Sequence, residues 1–202
     1  MFYNTAENRH GLAHDPFKAI VTPRPIGWIG TRAADGTRNL APYSFFNAIS
    51  DRPKMVMFSS SGYKDSVRNI EATGVFTASL AGAELTQQMN VSSAGVAPDV
   101  DEFTLSGLTP VDGQLVSAPF VGEAYAALEC RMTQIVRPQT LSGGLADSYV
   151  VFGEVVGIHI AESAITGGRL DMAIVRPLGR MGYMDYTEAS TVFELSRPSL
   201  PR

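Results

Sequence analysis

Polar and apolar residues alternate most plainly from residue 126 onward. Ala126, Leu128, Cys130 and Met132 interleave with Ala127, Glu129, Arg131 and Thr133, the period of two that a half-buried antiparallel strand leaves in a sequence. Its expected partner is the apolar run Ser148 to Ile160. Earlier, the apolar stretch Ile26 to Thr31 precedes Ala34-Asp35-Gly36-Thr37, and Asp-Gly is a strong hairpin signal. The second arm of that hairpin enters Asn39-Leu40-Ala41-Pro42-Tyr43-Ser44-Phe45-Phe46-Asn47. Pro42 has no N–H for a ladder, so pairing is expected to be interrupted there. Met55 to Ser59 and Val75 to Leu80 read as two further strands, the first ending in the polar loop Ser59-Ser60-Ser61-Gly62.

Helical patterns are few and short. Asp65 or Ser66 is placed to cap a helix in which Val67 and Ile70 share a face and which stops at Gly74. Glu84 to Asn90 is a second candidate. From Ser92 to Pro119 the chain is rich in Ser, Gly, Pro and Asp, with Phe103, Leu105 and Leu108 as isolated anchors. Strong strand patterns resume afterwards, so this stretch is an excursion within one domain spanning residues 1–202. Helices do not alternate regularly with strands, which favours a closed or nearly closed antiparallel barrel over a doubly wound sheet. The expected fold is mainly β, an antiparallel split β-barrel with a few short helices.

Composition narrows the function. With 45% hydrophobic and only 18% charged residues the chain is able to bury a large core. A formal net charge of −4 supplies no global field for a nucleic acid or an anionic membrane, so any phosphate must be held locally. Cys130 is the single cysteine, which excludes an intrachain disulfide and any multi-thiolate metal site and suits a reducing, cytoplasmic setting. The N-terminal twenty residues lack the basic start and apolar run of an export signal, and no apolar stretch is long enough to span a membrane. No G-x-G-x-x-G follows a strand, and neither a P-loop nor a G-x-S-x-G elbow is present. His10 and His14 lack a third partner, so no metal is expected.

Three ordered segments carry the remaining chemistry: Pro23-Arg24-Pro25-Ile26-Gly27-Trp28-Ile29-Gly30-Thr31, Asn39 to Ser50, and Ser59-Ser60-Ser61-Gly62-Tyr63-Lys64-Asp65-Ser66-Val67-Arg68-Asn69. With Asp101-Glu102-Phe103, Ala127-Leu128-Glu129-Cys130, Gly153-Glu154-Val155-Val156 and Arg176 to Gly182, they make the chain resemble the flavin reductase-like family. The similarity is to its FMN-binding split-barrel members, near the reductase components of nitrilotriacetate-type two-component monooxygenases. Arg180-Met181-Gly182-Tyr183 departs from the Arg, Leu and paired glycines more usual in that family.

The resemblance implies FMN as cofactor, NAD(P)H as electron donor, a partner monooxygenase and a homodimer. It implies cofactor contacts from Arg24, Trp28, Thr31, Asn39, Ala41, Pro42, Tyr43, Ser44, Phe45, Asn47, Ser59, Ser60, Lys64, Asp65 and Ser66. An electron-transferring flavoprotein and a non-catalytic flavin-binding module are the other functions open at this point.

Residue chemistry supports part of that set and leaves alternatives beside it. A flavin ring needs an apolar slot with backbone polar groups at its edge, and its phosphate needs hydroxyls, N–H groups and a cation. The backbone around Pro42 suits the first need, although an ordinary edge bulge explains the same residues. Ser59, Ser60, Lys64 and Ser66 flank a helix start, where N–H groups and the dipole favour an anion. Capping by Asp65 beside a solvated Lys64 is the plainer alternative. Arg24, held between two prolines, reads as an anion contact or as a surface ion pair. His159 faces opposite to Ile158 and Ile160, which points it into a cleft as a catalytic candidate or into a core or interface.

Overall fold

The computed structural model describes residues 1–199. A short helix α1 (Phe17–Ile20) and strand β1 (Arg24–Pro25) lead into the hairpin β2 (Gly27–Arg32) and β3 (Arg38–Tyr43). A second hairpin follows, β4 (Phe46–Asp51) with β5 (Lys54–Ser61), then helix α2 (Asp65–Thr73) and β6 (Val75–Leu80). A 3-10 turn runs into α3 (Thr86–Val91), and α4 (Glu102–Ser106) precedes the small ladder of β7 (Pro110–Asp112) and β8 (Pro119–Val121). The two longest strands are β9 (Ala126–Val136) and β10 (Ser148–Ile160). The chain ends in the pair β11 (Ile165–Thr166) and β12 (Arg169–Leu170), helix α5 (Met172–Val175), and β13 (Leu178–Arg180) with β14 (Tyr186–Glu188). Among the described residues no helix is long and apolar enough to cross a membrane.

The main sheet has seven antiparallel strands in the order β3-β2-β6-β9-β10-β5-β4. It curls on itself: Tyr43 of β3 packs against Phe58 of β5 with ring centroids 4.6 Å apart, and a side chain at Gly27 in β2 would strike the ring of Phe46 in β4. The inner face buries Ile29, Phe58, Phe76 and Cys130, with Val67 and Ile70 of α2 packed on them. The outer face of β2 and β3 buries Trp28 and Leu40 beneath α3, α4 and Phe103. Because β2 is covered on both faces, Gly27 to Thr31 are all buried, and the strand reads as a continuous apolar run. Gly30 is required where it stands, since an added Cβ would lie 2.0 Å from the Pro119 carbonyl oxygen.

Two sequence expectations change. The ladder is not interrupted at Pro42, because β3 stays paired with β2 through Trp28↔Pro42 and Gly27↔Tyr43. The excursion from 92 to 119 holds α4 and a short ladder; Phe103 and Leu108 anchor it in the chain's own core, whereas Leu105 is exposed.

Candidate functional site

A groove lies along the free edge of β3, and its backbone pattern follows from Pro42. Strand β3 ends the sheet, so one row of its polar groups faces away from β2. The Leu40 N–H belongs to that row and donates to Glu102 Oε2 at 3.1 Å. Alternation puts the nitrogen of Pro42, two residues on, on the same side, and it has no hydrogen. Proline therefore costs the sheet no bond here and leaves the edge beside it unpaired.

Against this edge sits a cavity of about 310 Å³, closed by the start of α2, the 92–96 segment and Glu102. It opens past Pro42, Lys64 and Ser93 into a second hollow of about 460 Å³ that Arg24, Ser44 and Arg180 also line.

The floor is a buried polar layer. Asn39 Nδ2 donates to Thr31 Oγ1 at 3.1 Å and to Ser66 Oγ at 3.0 Å, while Asn69 Nδ2 donates to the same Thr31 oxygen at 3.1 Å. Above it the first turn of α2 enters the cavity with no side-chain cap: Lys64 holds the N-cap position and accepts no bond there. The expected capping by Asp65 or Ser66 does not occur. Asp65 lies one residue inside the helix, where its carboxylate pairs with Arg68, and Ser66 is engaged by Asn39. By contrast Asp101 caps α4 through the Phe103 N–H at 2.9 Å. Gly74 ends α2 at φ 73°, as its position suggests. Burial raises the Glu102 carboxyl pKa against the opposing pull of the Leu40 N–H, and burial likewise raises that of the Tyr43 hydroxyl.

Nine of the fifteen residues expected at the cofactor line these two hollows: Arg24, Asn39, Ala41, Pro42, Tyr43, Ser44, Lys64, Asp65 and Ser66. The others lie elsewhere. Trp28, Thr31 and Ser60 are fully buried. Trp28 supports the groove from below, since its Nε1–H donates to Ser92 Oγ at 2.8 Å and so ties down the segment that closes the cavity. Ser60 donates to the Gly62 carbonyl at 2.9 Å and shapes the turn before α2. The Ser59 N–H is taken by the Phe45 carbonyl at 2.8 Å. Phe45 has its ring 5.9 Å from the Arg24 guanidinium, and Asn47 is exposed on β4, bonded to the next N–H.

Arg24 is neither exposed nor ion-paired. It is buried and donates to the carbonyls of Lys18, Val21 and Met181.

His159 lines neither hollow. Its Nε2 meets Glu129 Oε1 at 2.5 Å, and its ring stacks on Phe120 at 4.4 Å. Glu129 is buried although strand alternation assigns it to solvent, because the turn between β7 and β8 covers that face. Its carboxylate accepts the N–H groups of Gln114 at 2.9 Å, Leu115 at 2.7 Å and Val116 at 2.9 Å. The pair therefore anchors a loop. Residues that sequence reading passed over include Lys18, Glu102, Tyr183 and the 92–96 segment. Glu102 and Arg180 belong to the segments Asp101-Glu102-Phe103 and Arg176 to Gly182 that carry the family resemblance, but nothing local in the sequence marks Ala94-Gly95 as a cavity wall.

Fold and groove together define a split barrel with a polar cleft along the free edge of β3. Residues 20–176 match the flavin reductase like domain, and the chain belongs to that family. An uncharacterized protein of Deinococcus radiodurans is 37% identical over 89% of this chain and 82% of its own length. The structure of nitrilotriacetate monooxygenase component B from Bacillus cereus superposes with a TM-score of 0.87 at 26% identity, covering 96% of this chain and 98% of that one. Flavoredoxin of Desulfovibrio vulgaris shares the fold, with a TM-score of 0.78 at 22% identity over 87% of this chain and 92% of its own.

Proposed function

We propose that the groove binds FMN and that the chain is an NAD(P)H-dependent flavin reductase supplying reduced flavin to a partner monooxygenase. The observation that carries the reading is the uncapped first turn of α2 beside Lys64, opening into the same cavity as the free edge of β3. These residues fit the cofactor: a helix N-terminus with a cation suits a phosphate, and the hydroxyl and amide floor suits a polyol. A strand edge without an N–H at Pro42 admits a flat ring. Bound flavin would supply the two-electron redox chemistry. The chain's own work is to bind, orient and exclude water, with Asn39 and Ser66 below the ligand and the 92–96 segment, tied to Trp28, as its cover.

The family likeness to a monooxygenase component supports the partner. The exposed apolar residues Ile49 (44% exposed) and Ile158 (51%) on the outer sheet face support a homodimer through that face, and sedimentation as a monomer would remove it. Lys64→Ala is expected to weaken FMN by roughly 1.5–3 kcal/mol, the range for hydrogen bonds to charged groups, and to leave riboflavin almost unaffected. Fluorescence titration of both ligands, followed by anaerobic reduction with NADH and NADPH, is the test. Equal losses for FMN and riboflavin would overturn the phosphate assignment. Reduction by a protein donor but by neither nicotinamide would make the chain an electron carrier.

A further inference from the structure

Glu102 is a charged group of the cavity wall that the flavin reading leaves without a task. Lys64, Asp65 and Glu102 all line the cavity. Lys64 is assigned to the phosphate and Asp65 is paired with Arg68, but among the described residues Glu102 forms no ion pair. It is only 6% exposed, and burying a carboxylate without a counter-charge is costly.

Its neighbours do not relieve that cost. Asp101, beside it in the chain, caps α4 and pairs with Arg38 of β3 at 3.4 Å. Helix α3, packed on α4, carries no charged residue, and the Tyr43 hydroxyl on β3 is itself pushed up by burial. Burial, with Asp65 and Asp101 adding to it, raises the Glu102 pKa in spite of the Leu40 N–H, which marks a place where further negative charge is disfavoured.

The carboxylate is also well placed to act on a ring. It is held by the N–H of Leu40, two residues from Pro42 on the same outward row, so its anchor lies about 7 Å along the strand from the edge that admits a flat ring. Hydride transfer from a nicotinamide moves two electrons and one proton, which oxidises the donor and leaves the receiving ring with one more negative charge. Two like charges at such a separation, in the intermediate dielectric of a cleft, alter an equilibrium by about tenfold or more.

We propose that Glu102 makes the cavity discriminate between the two redox states of its flavin, retaining the neutral oxidised ring and loosening the negatively charged reduced one. It rests on the reading above that the cavity binds FMN. Glu102 is then a specificity-determining residue that favours hand-over of the flavin once it is reduced.

The test uses the full chain under anaerobic conditions at pH 8. Equilibrium ultrafiltration gives the dissociation constants of oxidised FMN and of dithionite-reduced FMN, and a redox titration gives the potential of bound against free FMN. Wild type is expected to bind reduced FMN at least tenfold more weakly than oxidised FMN, equivalent to a bound potential about 30 mV or more below that of free FMN. Glu102→Gln keeps a carbonyl for the Leu40 N–H and removes the charge, and should bring the two constants within threefold of each other. Glu102→Asp keeps the charge and should keep the discrimination even where both affinities drop. Equal binding of the two states by wild type would overturn the proposal and leave the flavin reading standing, as would a ratio in Glu102→Gln equal to that of wild type. Asp and Gln variants that weaken both states alike, with the wild-type potential retained in each, would make Glu102 a purely structural group and overturn the proposal too. Absence of FMN binding to wild type in either state would overturn the flavin reading and this proposal with it.

Discussion

Replacing Glu129 by Gln tests whether the Glu129–His159 pair is a loop anchor. In the native chain one oxygen accepts from the Gln114 N–H and meets His159, and the other accepts from Leu115 and Val116. An amide has one acceptor oxygen. With its NH₂ on the histidine side, neutral His159 accepts from it but the Gln114 N–H loses its partner; the opposite orientation strands two N–H groups. One orphaned buried donor costs about 1–3 kcal/mol, and the surviving bonds lose their charge assistance, so the total expected is about 2–4 kcal/mol. For a chain of this size that is a fall in Tm of roughly 5–12 °C.

The effect depends on pH. Burial acts to raise the Glu129 pKa, but the bonds from Gln114, His159, Leu115 and Val116 outweigh it and hold the carboxyl below the ordinary Glu value. Its stabilisation is therefore complete above that ordinary value and drains away as pH falls through the lowered folded one. Urea unfolding of wild type and Glu129→Gln from neutral to acid pH should show a gap that narrows on acidification, with FMN affinity unchanged. A gap under about 0.5 kcal/mol, the level of an ordinary surface substitution, or one that stays constant with pH, would refute the anchor.

Ser92→Ala removes the acceptor of the buried Trp28 indole and should cost about 1–3 kcal/mol while raising the FMN dissociation constant several-fold by loosening the 92–96 segment; chemical unfolding and flavin titration measure the two effects. Burial pushes the Cys130 thiol up to about 12, so a disulfide reagent at pH 8 should label it only as the chain unfolds, and fast labelling of native protein would contradict its place in the barrel interior.

Local periodicity made the barrel legible. The Asp35-Gly36 turn, the alternation from Ala126 to Met132 and the stop at Gly74 each depend on neighbours in sequence, and β2, β3, β9 and α2 lie where those signals place them. What escaped depends on a second layer. Glu129 looks solvated until a distant turn covers it, and Trp28 looks like a ligand contact until α3 and α4 bury it. Lys64 and Ser66 were visible as an anion pattern because they belong to one helix start. Lys18 and Arg180 were not, because only the carbonyls gathered by Arg24 bring them together.

Pro42 and Glu102 also bear on how the chain meets others of its kind. An uncovered edge strand is a template on which a stray strand adds, the usual beginning of aggregation. Along β3 the outward donor at Leu40 is already satisfied by a carboxylate, and the next outward position has no donor. A passing strand finds no register in which successive bonds form, while a small planar molecule needs only a few. The same two residues thus blunt the β3 edge against strand addition, and exchanging Pro42 for a residue with an N–H would restore a donor that an incoming strand could use there.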